Sequence, residues 1–281
     1  MNNVKTVILL GLLSGILLVG GEAIAGRNGL YMGLIIAAVM NFSSYFFSDK
    51  IALMSYNAQP VSPTENPEIY RRVAPIVQNL AHRMEIPMPK LYIIAEDSPN
   101  AFATGRNPQH ASVAFTSGIL QLMSDSEIEG VVAHELGHVL HRDILISSVA
   151  ATLAAAIMFI ARMAFWFGPA ERDDRDGGGG AIGAILMLIL APIAATLIQL
   201  AISRSREYDA DAASAKYTGT PYELVSALQK LETYSKRIPM QATPSTAHLF
   251  IIKPRLGGFL QSLLSTHPST EDRIRRLQAM R

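Results

Sequence analysis

Four stretches of this chain, roughly residues 6–21, 28–48, 144–168 and 181–203, are apolar and long enough to cross a bilayer, and they restrict every other arrangement. A helical crossing takes about twenty residues, because the hydrocarbon core is about 30 Å thick. The third carries Arg162 near an aromatic end at Phe165-Trp166-Phe167, as expected where a helix meets headgroups, and the fourth contains Pro192, a kink. A chain that is 49% hydrophobic and 17% charged, with mean hydropathy +0.24, suits a membrane protein with a modest soluble part. The loop after the first stretch is a few residues long, and that after the third is an acidic segment, Pro169 to Asp176, followed by four glycines. Neither holds a domain. The remaining polar mass, flanked by Lys5, Lys50, Arg142, Arg204 and Arg206, therefore lies on the opposite side, which the positive-inside tendency assigns to the cytoplasm. Lys5, a short apolar run and Ala23-Ile24-Ala25 also have the form of a cleaved signal peptide; cleavage would leave the topology of the rest unchanged.

Just before the third stretch, Val131 to Leu140 contains His134-Glu135-Leu136-Gly137-His138. At about 3.6 residues per turn the two histidines project from one helix face, so both imidazoles can meet one metal ion. Surrounding Val, Ala, Leu and Gly argue against a solvated face, and burying two histidines and a glutamate without partners would be costly. Ser124-Asp125-Ser126-Glu127 has the form of a capping box, which starts the helix there. Three protein ligands plus water is the open arrangement of a catalytic zinc site, and Glu135 beside that water can take its proton as general base, which is the chemistry of peptide hydrolysis.

Topology selects the third ligand. The motif helix ends before the third apolar stretch, and Ser203-Arg204-Ser205-Arg206-Glu207-Tyr208-Asp209-Ala210-Asp211 begins as the fourth ends. Two consecutive crossings form an antiparallel hairpin, so their inner ends are neighbours. That places Glu207 beside His138 as a metal ligand. Asp211, one helical turn further, is placed to hold a ligand imidazole from its other nitrogen.

Between these landmarks, residues 60–67 read as a Pro-rich linker, 67–84 as an amphipathic helix, and 90–95 and 111–116 as strands. Asn100-Ala101-Phe102-Ala103-Thr104-Gly105 reads either as an edge strand able to pair with an extended peptide or as a plain hairpin. Residues 221–237 form a further amphipathic helix, 238–254 an irregular segment that could cover the cleft, and 271–280 a basic helix capped by Ser269 or Thr270. Arg273 on that helix either salt-bridges the site helices or faces water. No cysteine means no disulfide, thiol catalysis or thiolate ligand, and a net charge of +1 with no basic-aromatic pattern argues against nucleic acid.

The motif at His134 to His138, the run Arg206 to Asp211 and the late His267-Pro268 together resemble the HtpX-like membrane zinc metalloproteases of bacteria and archaea, over nearly the whole chain. The resemblance implies one zinc per chain on His134, His138 and Glu207, with Glu135 as general base. It implies that His267 steadies the tetrahedral oxyanion and that Asn100, Ala101, Phe102 and Ala103 correspond to a substrate-binding strand, with backbone contacts near Asn100. It further implies a multi-pass inner-membrane enzyme that cuts misfolded or damaged membrane proteins on the cytoplasmic side. The family is also similar to the prenyl-protein proteases of eukaryotes. His141 is close to the ligand face, but Glu207 completes the set, and the metzincin pattern fails because Ile144 stands where it needs histidine.

The expected fold is α+β and mainly helical. Residues 1–50 hold two crossings, 51–143 the first part of a protease domain with a small sheet, 144–203 a second membrane hairpin, and 204–281 the second part. Alternative functions are a processing protease for one tail sequence and a metal-binding membrane scaffold or chaperone that holds chains without cutting them.

Overall fold

The computed structural model of the chain describes residues 2–147, 149, 204–235, 251 and 268–280. Its first element, α1 (Asn2–Phe46), is helical throughout yet cannot be a straight rod. Asn41 Nδ2 donates to Leu10 O at 3.3 Å and to Ser14 Oγ at 2.8 Å, although 31 residues of straight helix would separate Asn41 from Leu10 by about 46 Å. The chain folds back near Gly26, whose φ is +58°. A side chain at Gly33 would collide with Leu17 O and one at Gly21 with Gly29 O, so glycine lets the arms touch backbone to backbone. The outward faces expose Val7, Ile8, Val19, Met32, Ile35 and Val39, each more than half accessible.

The first two expected crossings fall on these arms. Among the described residues, however, no helix is long and apolar enough to cross a membrane. The stretches expected at 144–168 and 181–203 lie outside the described residues except for 144–147 and 149. The coarser expectation holds: a mainly helical α+β chain with a small sheet.

After α1 the chain runs through α2 (Ser48–Ser55), β1 (Gln59–Val61), α3 (Pro67–Arg83), β2 (Lys90–Ile94), β3 (Ala101–Thr104), a short 3-10 turn (Pro108–His110), β4 (Ser112–Thr116), α4 (Ser117–Leu122) and α5 (Asp125–His141). The later described elements are α6 (Arg204–Thr218), α7 (Tyr222–Ser235) and α8 (Thr270–Gln278). The sheet order is β1-β2-β4-β3, with β2 and β4 parallel and the outer strands antiparallel to their neighbours. β1 overlaps the first residues of the segment 60–67 expected to be only a linker. Proline is tolerated in an edge strand, and Pro60 pairs there with Tyr92. β3 occupies the other edge and pairs antiparallel with the consecutive strand β4, so residues 101–104 are the edge strand of a hairpin, an arrangement that both readings of residues 100–105 contain.

The strands alternate between two covered faces. Leu91, Ile93, Ala101, Ala103, Val113 and Phe115 join the main core with Val73, Val77 and Leu80 of α3 and Ile128, Val132 and Leu136 of α5. Phe102, Ile94 and Ala114 face the other way, against Leu53 of α2. Each large aliphatic side chain buried in this way contributes about 1.5–3 kcal/mol, which locks both edge strand and motif helix to one sheet. α5 begins at the expected capping box: Ser124 Oγ accepts from Glu127 N at 3.3 Å, and the Glu127 carboxylate accepts from Ser124 N at 2.8 Å. α5 does not run on unbroken toward the third apolar stretch. It stops at Arg142, whose left-handed φ of +58° turns the chain.

Candidate metal centre

Helical spacing on α5 sets the His134 and His138 rings 4.8 Å apart between centroids and nearly perpendicular, at 87°. His134 is fully buried, whereas the His138 side chain is 15% accessible, which opens the site on that side. α6 packs along α5 where Gly137 faces Ala210 and Ala213, and this close approach brings Glu207 across from both histidines. His134 Nε2 lies 3.9 Å from Glu207 Oε2 and His138 Nε2 lies 3.7 Å from Glu207 Oε1. One donor atom from each of the three residues falls within 4.8 Å of the others. Donors about 2.0–2.2 Å from a tetrahedral zinc are roughly 3.3–3.6 Å apart, so this set fits such an ion after small rotations.

Each imidazole has a carboxylate behind it. Asp211, one turn beyond Glu207 on α6, places Oδ1 3.0 Å from His134 Nδ1. Asp143, which follows the break at Arg142, places Oδ2 3.4 Å from His138 Nδ1. Arg273 of α8 is 2% accessible and grips Asp211 with Nε at 3.0 Å and Nη2 at 2.7 Å; its Nη1 donates to Ile251 O at 3.0 Å. The same guanidinium lies 3.7 Å from Glu207 and against the His134 ring. Of the two readings of Arg273, the buried ion pair is the one realised.

Glu135 occupies the neighbouring position on α5. Its Oε2 accepts the Ala103 N–H at 2.9 Å, which fixes the carboxylate between the edge strand and the histidines. Burial pushes the Glu135 carboxyl above its ordinary value, against the opposing pull of His134, His138 and the Ala103 N–H. Burial alone would depress His138, but the hydrogen bond with Asp143 and the Glu207 and Glu135 carboxylates together push it up to about 9. Burial also opposes ionisation of Asp211, yet Arg273 and His134 hold it below the usual carboxylate range.

Ala103 directs its N–H away from β4 toward Glu135. By the two-residue alternation of a strand, Ala101 presents its backbone to the same free edge, while Phe102 and Thr104 face β4. Asn100 anchors the start of the strand. Its N–H donates to Thr116 Oγ1 at 2.8 Å, its carbonyl accepts from Thr116 N at 2.9 Å, and its Oδ1 accepts from Ile251 N at 3.3 Å. His267 lies outside the described residues, although Pro268 beside it is buried. His141 is exposed at the end of α5, and His82 and His110 are exposed elsewhere.

Sequence reasoning missed Asp143. The signal was available in its distance of five residues from His138, but only a helix break at Arg142 turns that spacing into a contact.

A His-Glu-x-x-His helix with a third carboxylate donor delivered by a later helix defines a metallopeptidase. The chain belongs to Peptidase family M48, whose pattern matches residues 67–281. It is 51% identical over 280 residues to the Protease HtpX homolog of Desulforapulum autotrophicum, covering 99% of this chain and 89% of that one. It is 50% identical over 281 residues to the Protease HtpX homolog of Syntrophobacter fumaroxidans, covering 98% of each. The crystal structure of S. mikatae Ste24p is similar in fold, with a TM-score of 0.54 and 19% identity over 98% of this chain; the chain spans 65% of that protein's length.

Proposed function

We propose that the protein is a zinc-dependent integral membrane endopeptidase that cuts misfolded or damaged membrane proteins at the cytoplasmic face of the inner membrane. The observation that carries this reading is the placement of Glu135 against both the His134–His138–Glu207 donor set and the backbone of the edge strand. Two imidazoles and one carboxylate are a donor set that suits zinc, and His134, His138 and Glu207 would hold it. When bound, zinc polarises the scissile carbonyl and makes water acidic enough to attack near neutral pH.

The chain's own residues supply the rest. An extended substrate adds to β3 through the outward backbone groups of Ala101 and the carbonyl of Ala103, whose N–H is taken by Glu135, with Asn100 and Phe102 holding that strand in place, which aligns its main chain without regard to most side chains. Glu135, its carboxyl raised by burial, accepts the proton of the attacking water and returns it to the departing amine. Asp211 keeps His134 Nδ1 occupied as a donor. The family resemblance assigns the steadying of the developing oxyanion to His267. The membrane part of the reading is supported by the exposed aliphatic faces of the α1 hairpin and by the two long apolar stretches between α5 and α6.

The test is cleavage of an unfolded test protein by the detergent-solubilised full chain with zinc, beside Glu135→Gln. The parent cuts, and the variant binds zinc equally while losing more than about a hundredfold in rate. Zinc bound to both with no cutting by either would overturn the reading.

A further inference from the structure

The two histidines of the metal centre are oriented alike. Both turn Nε2 toward Glu207, at 3.9 and 3.7 Å, and both turn Nδ1 toward an aspartate, Asp211 at 3.0 Å and Asp143 at 3.4 Å. Both aspartates are buried, at 1% and 4% accessibility. A buried carboxylate needs compensation, which Asp211 finds in a direct ion pair with an arginine. Asp211 has Arg273; Asp143 lies in the field of Arg206, the residue before Glu207 on α6. Arg206 is itself 8% accessible, and its two terminal nitrogens have no hydrogen-bond partner among the described residues.

Resting on the metalloendopeptidase reading above, we infer that Asp143 is a positioning residue for His138. Its carboxylate takes the hydrogen bond of Nδ1–H, so the ring presents the Nε2 lone pair to the ion and cannot rotate out of line. The left-handed turn at Arg142 is what makes this possible. In a continuing helix, residue 143 would point about 140° away from residue 138 around the axis; the break returns it to the same side.

The experiment uses the full chain in detergent and measures zinc affinity by competition with a chromophoric chelator, with far-ultraviolet circular dichroism confirming the fold. Asp143→Ala lowers zinc affinity about 10- to 100-fold, the range typical of such supporting groups. Asp143→Asn, which keeps an acceptor for Nδ1–H, recovers most of that loss, and Arg206→Met weakens binding less than Asp143→Ala. An Asp143→Ala protein that is folded and binds zinc within twofold of the parent overturns the inference. A second measurement needs no variant: in the zinc-loaded parent, ¹⁵N-histidine labelling shows His138 with a protonated, slowly exchanging Nδ1. Metal on Nδ1, or rapid exchange of that proton, also overturns it. A parent that binds no zinc would instead sink the metalloendopeptidase reading on which this rests.

Discussion

Replacing Arg273 by methionine removes the cation from a fully buried ion pair of the site while roughly keeping its volume. In the parent, Arg273 gives Asp211 two hydrogen bonds, at 3.0 and 2.7 Å, and a third to Ile251 O at 3.0 Å, with side-chain accessibilities of 2% and 1% across the pair. Solvent cannot replace these partners. Breaking a buried pair from one side costs about 3–5 kcal/mol, because the remaining carboxylate is stranded, and folded proteins typically have only about 5–15 kcal/mol in hand. The assay is urea unfolding of the metal-free full chain in detergent, followed by circular dichroism, so that loss of zinc does not contribute. Arg273→Met lowers stability by at least about 3 kcal/mol, and α8 exchanges its amides faster. The reasoning also requires non-additivity: with Asp211→Asn added, the double variant is more stable than the sum of the single losses predicts, by about 2 kcal/mol, since neither charge is then orphaned. A loss below about 1 kcal/mol, or strict additivity, would refute the stranded-charge account.

Glu127 supplies a pH test. Burial opposes its ionisation, but hydrogen bonds from Lys230, Ser226 and Ser124 overcome this and hold the carboxyl at about 2 instead of 4.5. A carboxyl depressed on folding stabilises the protein above its unfolded value, so the contribution is complete above pH 4.5 and is lost as pH falls toward 2. The Lys230 side chain is 42% accessible, so screening reduces the expected contribution to about 1–2 kcal/mol. The difference in stability between parent and Glu127→Gln should shrink across that interval, and a constant difference would contradict the assignment. Gly105, directly after β3, has φ +134°, and any side chain there would collide with His110 O. Gly105→Ala should cost about 2 kcal/mol or more and slow peptide cleavage by displacing the edge strand, read from the thermal midpoint and the rate; unchanged values would argue against a fixed strand end.

The centre of this protein was legible in the order of its residues because its determinants are local or nearly so. A four-residue step on a helix puts His134 and His138 on one face, a capping box starts that helix, and another four-residue step relates Glu207 to Asp211. Alternation and β-branched content marked β2 and β4. Glu207 approaches His138 to 3.7 Å across 69 positions of sequence, a closeness expected from treating the two long apolar stretches between them as a hairpin; those stretches themselves lie largely outside the described residues.

Other features depended on packing. β1 is three residues in a proline-bearing segment, and only the edge offered by β2 makes it a strand. The single long helix Asn2–Phe46 is bent back by one left-handed glycine, a conformation that composition does not announce. Arg273 is one of three arginines on a short basic helix, and nothing in their spacing says which is buried against Asp211 and which face water. Asp143 reaches His138 only because α5 breaks at Arg142. Helix period and cap chemistry act within a few residues and so are written in the sequence. The pairing of a buried charge with its partner depends on which surfaces are brought together, and that was decided only when α5, α6 and α8 packed around the site.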